Sequence, residues 1–371
     1  MRIGIDAREL TGNATGAGRY LGGLLAEWDR ASYARRHEFV LYTSGTIGFP
    51  IDTRRFPTRL VTGGSGTVWE QINLPRVALK DHLDAFFAPA YTAPFLGRTP
   101  VVVAIHDVSF FAHPEWFAVR EGLRRRWLTR RAARLASTII TISEFSRAEI
   151  IERLHVSETR IKVIPPGISP AQGPGVRAGG SGVRAQGQLE PRVLFVGSIF
   201  QRRNIPDLLR AFAIVASGRP DARLDIVGDN RTCPRENIAR LIERSGAADQ
   251  VRWHQYVDDG ALEELYGSAR AFVFLSEYEG LGLTPLEALA RGVPSVLLDS
   301  PVARETCGNA AFYVEKGAIS DTAAIIRTAL FDEAARTRVL AAAPAALAKY
   351  DWARAARETL AAIESAAIES E

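Results

Sequence analysis

The sequence predicts an α/β chain made of two doubly wound, parallel-sheet domains, and three observations carry that prediction. Short, continuously apolar, β-branched runs recur; stretches of helical character separate them; and one segment without periodicity divides the runs into two sets. Runs so short and so apolar suit strands buried on both faces, and their alternation with helices suits parallel sheets. At 371 residues the chain also exceeds what a single core usually spans. The reading places one domain at 1–170, a Gly-rich linker at 171–191, a second domain at 192–349 and a helical tail at 350–371. Ligands of such sheets bind outside the carboxyl ends of the strands. Two domains facing each other across a cleft would therefore build the site from both halves.

The first domain opens on "RIGID", followed by "TGNATGAGRYLGGLL", read as a strand-to-helix loop with Gly16 and Gly18 ahead of Arg19. This Gly-x-Gly lacks the third glycine of the dinucleotide fingerprint, so a phosphate-side or acceptor-side loop fits better than a nicotinamide site. "FVLYT" is the next strand. "VVVAIHDVSFF" then sets His106 and Asp107 at the end of a buried strand, where a histidine is well placed for a ligand. In "REGLRRRWLTRRAARLAS", Arg120 to Ser137, a helix would turn Leu123, Trp127 and Leu128 inward and most arginines to water. A solvated helix face is one reading of it. A membrane-surface patch is the other, kept open by Trp116 and Phe117 just before it. "STIITIS" leads into "TISEFSRAEI", where Ser143 reads as an N-cap rather than a catalytic group.

In the second domain "VLFVGS" ends at Gly197 and Ser198, and the next turn brings Arg202 and Arg203 to the same carboxyl edge. Paired guanidiniums there can hold a diphosphate and neutralise charge on a leaving group. "LDIVGD" and "AFVFLS" follow, the latter running into "EYEGLGLTPLEALARGVP". Thr284, Pro285 and Glu287 read as a capping box, with Arg291 and Gly292 ending a short helix. The unpaired amides of that helix start attract phosphate, and Gly280 and Gly282 allow close approach. Glu279 would repel a diphosphate unless it accepts hydrogen bonds from neutral hydroxyls, as sugars offer. "PSVLLD" is the last strand, and in the tail Trp352, Ala356 and Leu360 share a helix face that reads as a packing anchor.

Composition narrows the classes. An apolar fraction of 47% with 24% charged residues excludes disorder and fibre. The start lacks a secretory apolar core and no stretch is apolar enough to span a membrane, so a cytoplasmic location is expected. A peripheral contact at the inner face of the membrane stays open. Cys233 and Cys307 match no zinc or redox spacing. No metal-ligand cluster stands out, and Asp258 with Asp259 reads as a polar turn. The net charge of +4 permits phosphates, nucleic acid or anionic lipid without choosing among them; no nucleic-acid partner is expected.

Taken together, "IGIDAREL…GAGRY", "WEQINLP", "HD", "TISEFSR", "VIPPG", "VGSIFQRRN", "IVGD", "EGLGLTPLEALARGVP" and "YDW" resemble glycosyltransferase family 4, the retaining GT-B enzymes that use nucleotide-diphosphate sugars. The likeness covers nearly the whole chain, and the two glutamates eight positions apart around their glycines are its most specific part. The sequence departs from the family at Leu281, where Phe is usual, and at Arg203, where Lys is common. The resemblance implies that Glu279 contacts the donor sugar and Glu287 the ribose. It gives the diphosphate to Arg202 and Arg203, with Gly197, Ser198 and the backbone of Gly280, Leu281, Gly282 and Leu283 beside them. His106 would lie at the sugar's reacting face, Gly16, Gly18 and Arg19 would border the cleft, and Tyr256 and Val257 would meet the nucleobase. His106, Glu279 and Arg203 are then the catalytic set. The first domain would serve the acceptor, the second the donor, and the tail helix would pack back on the first domain.

With no metal-ligand cluster in the sequence a metal-independent enzyme is expected, and the resemblance implies a nucleotide sugar as co-substrate with no cofactor. Its acceptor would be a glycan or lipid-linked saccharide, and GDP-mannose is preferred as donor over UDP-hexoses. Alternatives are a nucleotide-sugar epimerase or glycan phosphorylase of the same architecture, or a non-catalytic nucleotide-sugar-binding module.

Overall fold

The computed structural model describes residues 1–12, 16–64, 66–168 and 190–369. The expected linker lies, up to residue 189, outside the described residues. Contacts divide the chain into two compact units, Met1–Gly167 with Tyr350–Glu371, and Ile168–Lys349.

The first unit holds a sheet of seven strands: β1 (Arg2–Asp6), β2 (Glu38–Thr43), β3 (Thr58–Leu60), β4 (Ala85–Ala88), β5 (Val101–Ala104), β6 (Thr138–Thr141) and β7 (Ile161–Val163). Their order is β3-β2-β1-β4-β5-β6-β7, and every pairing is parallel. Successive residues of a strand point to opposite faces. Phe39 and Leu41 enter one core with Trp28, Leu360 and Ile363, whereas Val40 and Tyr42 enter the other with Trp69, Leu74 and Ala133. Both faces are covered, which is why these strands read as unbroken apolar runs.

The helix Trp352–Ile368 belongs to this unit and packs along the helix Gly16–Arg30. Ala356 and Leu360 are buried in that contact, and the Trp28 indole donates to the Ala356 carbonyl at 2.9 Å. Trp352 lies so close to Gly23 and Gly167 that a Cβ there would fall 2.5 and 2.2 Å from its ring. Those two glycines make the seat for the tail.

The second unit holds six strands: β8 (Arg192–Val196), β9 (Arg223–Val227), β10 (Val251–His254), β11 (Ala271–Phe274), β12 (Ser295–Leu298) and β13 (Ala311–Val314). Their order is β10-β9-β8-β11-β12-β13, again all parallel. The chain winds outward from β8 to β10, then returns to β11 and winds the other way. The switch point is thus the edge between β8 and β11, the place where an open α/β sheet leaves a crevice for ligands.

Three local expectations are corrected. Gly16 and Gly18 are not in a loop; they form the first turn of the helix Gly16–Arg30, which also carries Arg19. Thr284 is not an N-cap, because the helix Leu283–Ala290 begins one residue earlier, with Gly282 at the cap in the left-handed region (φ 90°). Glycine reaches that conformation without steric cost and so displaces the Thr-Pro signal. Leu123 and Trp127 do not face inward: they are 56% and 62% exposed, and the inward face of their helix is Gly122, Leu128, Thr129, Ala132 and Ala133. Leu128 does face inward as expected, and the residues that share its face are small.

Candidate functional site

The carboxyl ends of β8 and β11 are neighbours, and both are followed by turns instead of immediate helices. After β8 come Gly197 and Ser198, then a 3-10 turn, Gln201–Arg203, and the helix Ile205–Gly218. After β11 comes 275–282, leading into the helix Leu283–Ala290. Asn204, in the left-handed region (φ 49°), ties the two turns together by donating from Nδ2 to the Leu275 carbonyl and to Glu277 Oε1, each at 3.0 Å. The Glu277 amide donates in return to the Arg202 carbonyl at 2.8 Å. Two segments more than seventy residues apart are therefore hydrogen-bonded into one rim.

Arg203 is the centre of this rim. Its Nε donates to Glu279 Oε1 at 3.1 Å, one terminal nitrogen donates to the Ser198 carbonyl at 2.7 Å, and the guanidinium lies 4.8 Å from the Phe274 ring centre. Arg202 stacks on Phe200 at 4.4 Å, donates to the Tyr278 carbonyl at 3.1 Å and reaches Glu279 at 4.0 Å. Gly197 (φ 144°) permits this packing: a Cβ on it would lie 2.3 Å from the Arg203 guanidinium. Gly228, after β9, is needed for the same reason one layer out, since its Cβ would meet the Gly197 carbonyl at 2.0 Å.

Electrostatically the rim is two guanidiniums around one carboxylate. Burial by itself would raise the Glu279 carboxyl, but Arg203, then Arg202, and the hydrogen bond from Ser276 Oγ at 2.8 Å carry it below its ordinary range. Burial pulls the Arg203 guanidinium below its usual value, with Glu279 opposing. An arginine still keeps its proton. Only Oε1 of Glu279 is engaged; among the described residues Oε2 has no hydrogen-bond partner. The site thus offers one free carboxylate oxygen to a hydroxyl and an excess positive charge to an anion. A hollow lined by Ser276, Glu279, Leu281, Gly282, Ser300 and Thr306 adjoins it, and Thr306 fixes the loop by donating to the Leu281 carbonyl at 2.7 Å.

Arg202, Arg203, Gly197, Ser198, Glu279, Gly280, Leu281, Gly282 and Leu283 therefore gather at one edge of one sheet. Glu287 lies a turn further along the helix that Gly282 starts, half-buried, and accepts from the Tyr266 hydroxyl at 3.4 Å. With Thr284 no longer capping, Glu287 has no capping task. Tyr256 and Val257 follow β10, two strands out from β8; Tyr256 is 73% exposed. Asp258 is a helix cap, its Oδ1 accepting from the Ala261 amide at 2.8 Å.

In the first unit, His106 is buried just past β5 and packs against the edge of Tyr20 (4.8 Å) and Tyr91 (5.6 Å). Its Nε2 is 2.8 Å from the Pro89 carbonyl, which can only accept, so Nε2 carries the proton and, among the described residues, Nδ1 is the open acceptor. Burial lowers its basicity and keeps the ring neutral, with the Pro89 bond and Asp107 opposing. Gly18 and the Tyr20 that touches His106 share the first turns of one helix, with Arg19 on the exposed side. Ser143 caps its helix, accepting from the Ser146 amide at 3.0 Å.

Sequence reasoning missed Ser276, Asn204, Phe200 and Lys316, the last pairing with Glu277 at 2.8 Å. Ser276 stands three residues before Glu279 and had a local signal. Lys316 had none, because it follows β13 and meets the rim only through the sheet.

Comparison with known proteins identifies relatives of both units. Residues 14–172 match the model of Glycosyltransferase Family 4, and residues 184–345 match Glycosyl transferases group 1. The O-antigen chain mannosyltransferase B of Escherichia coli is 29% identical over 287 residues, 76% of this chain and 75% of that protein. The GDP-mannose:cellobiosyl-diphosphopolyprenol alpha-mannosyltransferase of Xanthomonas campestris is 27% identical, over 71% of this chain and 67% of its own length. The Escherichia coli serotype-specific mannosyltransferase WbdA is 28% identical over 63% of this chain, and the match spans 30% of that longer protein. Among solved structures, Anabaena HepE in complex with UDP and glucose has a TM-score of 0.75 at 18% identity, over 98% of this chain and 100% of that one. WaaG, a glycosyltransferase involved in lipopolysaccharide biosynthesis, has 0.72 at 19%, over 98% and 99%.

Proposed function

This chain belongs to glycosyltransferase family 4 and has the GT-B fold, and from that premise we propose that it moves a hexosyl group from a nucleotide-diphosphate sugar to a glycan or lipid-linked hydroxyl with retention of configuration. Mannose from GDP-mannose is the preferred donor, since the relatives named for a donor or product are mannosyltransferases. UDP-hexoses come next, as HepE holds UDP and glucose. Synthesis of a cell-surface polysaccharide is the fitting role.

The single observation that carries this reading is the pairing of Arg202 and Arg203 around Glu279, with Glu279 Oε2 left open. A diphosphate needs the two guanidiniums; a sugar needs the carboxylate oxygen. The leaving group is already good, so the protein has to position it and neutralise its charge more than attack it. The bond from the anomeric carbon to phosphate oxygen breaks while the acceptor oxygen bonds to the same face, and the acceptor proton passes to the departing phosphate. With both positive charges supplied by arginine, transfer proceeds without a metal, and activity is expected to survive EDTA. Neutral His106, with Nδ1 open, is assigned the task of accepting a hydrogen bond from a sugar hydroxyl.

The test is a thermal-shift panel of nucleotide sugars followed by product analysis with and without an acceptor. GDP-mannose should raise the melting point most, and transfer should preserve the donor's anomeric configuration. If no nucleotide sugar shifts melting, or the product is an epimer released without acceptor, the proposal is wrong.

A further inference from the structure

We propose that Tyr91 is a positioning residue: its ring, anchored by its hydroxyl on Asp107, holds the imidazole of His106 in the orientation that sets Nε2 on the Pro89 carbonyl and leaves Nδ1 to accept from a sugar hydroxyl. How the imidazole is held is read from the first unit alone; what it then does rests on the transferase reading. Among the described residues four that are not glycine have a positive φ: His82, Tyr91, His155 and Asn204. His82, His155 and Asn204 each follow the last residue of a helix or 3-10 turn, where the left-handed conformation is an ordinary way to stop. Tyr91 (φ 58°) ends no helix. A bulky side chain in that region is strained, and such strain persists only where the surroundings over-determine it. Here they do. The Tyr91 amide donates to the Ala104 carbonyl of β5 at 2.7 Å, the Thr92 hydroxyl donates to Glu70, and Gln71 Nε2 donates to the Ala93 carbonyl at 3.0 Å. The turn after β4 is thus pinned at three successive residues.

The result is a grip on His106. Its backbone is already fixed, the His106 carbonyl accepting from Ser146 Oγ at 2.9 Å, so rotation of the ring is the freedom that remains. Pro89, two residues before Tyr91, accepts from Nε2 at 2.8 Å. The Tyr91 ring stands at 81° to the imidazole, 5.6 Å between centres, and the Tyr20 ring at 76° and 4.8 Å. The Tyr91 hydroxyl donates to Asp107 Oδ2 at 2.8 Å, while Oδ1 accepts from the Ser109 amide at 2.8 Å. One side chain therefore meets His106 with its ring and the next residue with its hydroxyl. Without that ring the imidazole can leave Pro89 and its proton can move to Nδ1, where it would end the capacity to accept a hydrogen bond.

The test compares Tyr91→Gly with Tyr91→Ala in the full chain, because both remove the ring and hydroxyl but only glycine also relieves the backbone. Tyr91→Gly is expected to melt above Tyr91→Ala. Nitrogen NMR of isotopically labelled histidine, with the His106 signal assigned by its loss in His106→Phe, reads the tautomer directly. In the wild type that signal should show a proton on Nε2 and none on Nδ1. In both variants it should show the two tautomers mixed and titrate nearer the ordinary histidine range, since burial is what lowers it in the wild type. Turnover should fall about a hundredfold, the scale for a reacting group misplaced by about an ångström, with the donor's KM changed less. Tyr91→Phe, which keeps the ring, should restore the single tautomer and most of the turnover. An unchanged His106 signal in both variants overturns the inference, whether or not the wild type transfers a sugar. So does a changed signal with wild-type turnover. A wild type that transfers nothing refutes the transferase reading instead, and the grip on His106 is then judged by the spectra.

Discussion

Glu279 and Arg203 hold each other in place in a site that neither could occupy alone. A buried ion pair contributes little net stability, but removing one partner strands the other charge at about 3–5 kcal/mol. Arg203→Ala is therefore expected to lower stability in urea by an amount of that order and to abolish transfer, whereas Arg203→Lys keeps the charge and should retain more of both. Glu279→Gln keeps the shape and loses the charge. We expect its turnover to fall by about a hundredfold or more, the scale for one misplaced electrostatic group at a reacting centre, with stability changed less than in Arg203→Ala. A Glu279→Gln enzyme with wild-type turnover would remove Glu279 from the site. In the other unit, burial pushes the Asp6 carboxyl up to about 6, even though Arg8 lies 3.0 Å away. The folded state thus holds that proton more tightly than the unfolded chain does. The stability this group supplies is complete below pH 4 and is lost as pH rises through 6, on the order of 3 kcal/mol. Asp6→Asn should flatten the pH profile of unfolding over that window; an unchanged slope would mean the shift is not there.

At the scale of elements, the strands that could not be read explain themselves. β3, β7, β10 and β13 are the edges of the two sheets. Each has exposed or half-buried residues, as in Thr58–Leu60, exposed at every position, so no continuous apolar run announces it. β4 is central, but "AFFA" is four residues without a β-branched side chain and gives no strand signal. The interior strands were legible because both their faces are covered. The tail helix is legible for its apolar face, but not for its seat. That seat is the pair Gly23 and Gly167, and Gly167→Ala forces a methyl into the Trp352 ring. Overpacking of this kind costs about 1–3 kcal/mol. Hydrogen exchange should show the helix Trp352–Ile368 loosening in that variant ahead of the sheet; uniform protection would contradict the role given to the two glycines.

For the whole molecule, a donor that binds only the folded chain must stabilise it by mass action. At a hundredfold excess over Kd the gain is about 2.7 kcal/mol, whichever unit carries the contacts. GDP-mannose is expected to give such a rise in melting point, and the same rise in EDTA. A rise that vanishes with chelator would put a metal into the site. The edge where β8 meets β11 explains why one sheet can collect ligands from Gly197 to Leu283: the reversal of winding leaves both turns open on the same side.

The sequence by itself determined the two sets of buried strands, the turn chemistry after β8 and β11, and the choice of arginine, carboxylate and glycine there. These are local properties, set by periodicity and by what each side chain can donate or accept. Only the tertiary structure decided that Gly282 rather than Thr284 starts the helix, that one oxygen of Glu279 is spent on Arg203 and Ser276 while the other is open, and that Trp127 faces out. Each of those depends on which neighbour occupies the space beside the residue. In a parallel sheet that neighbour comes from a strand many residues away, and its position is not written in the segment it touches.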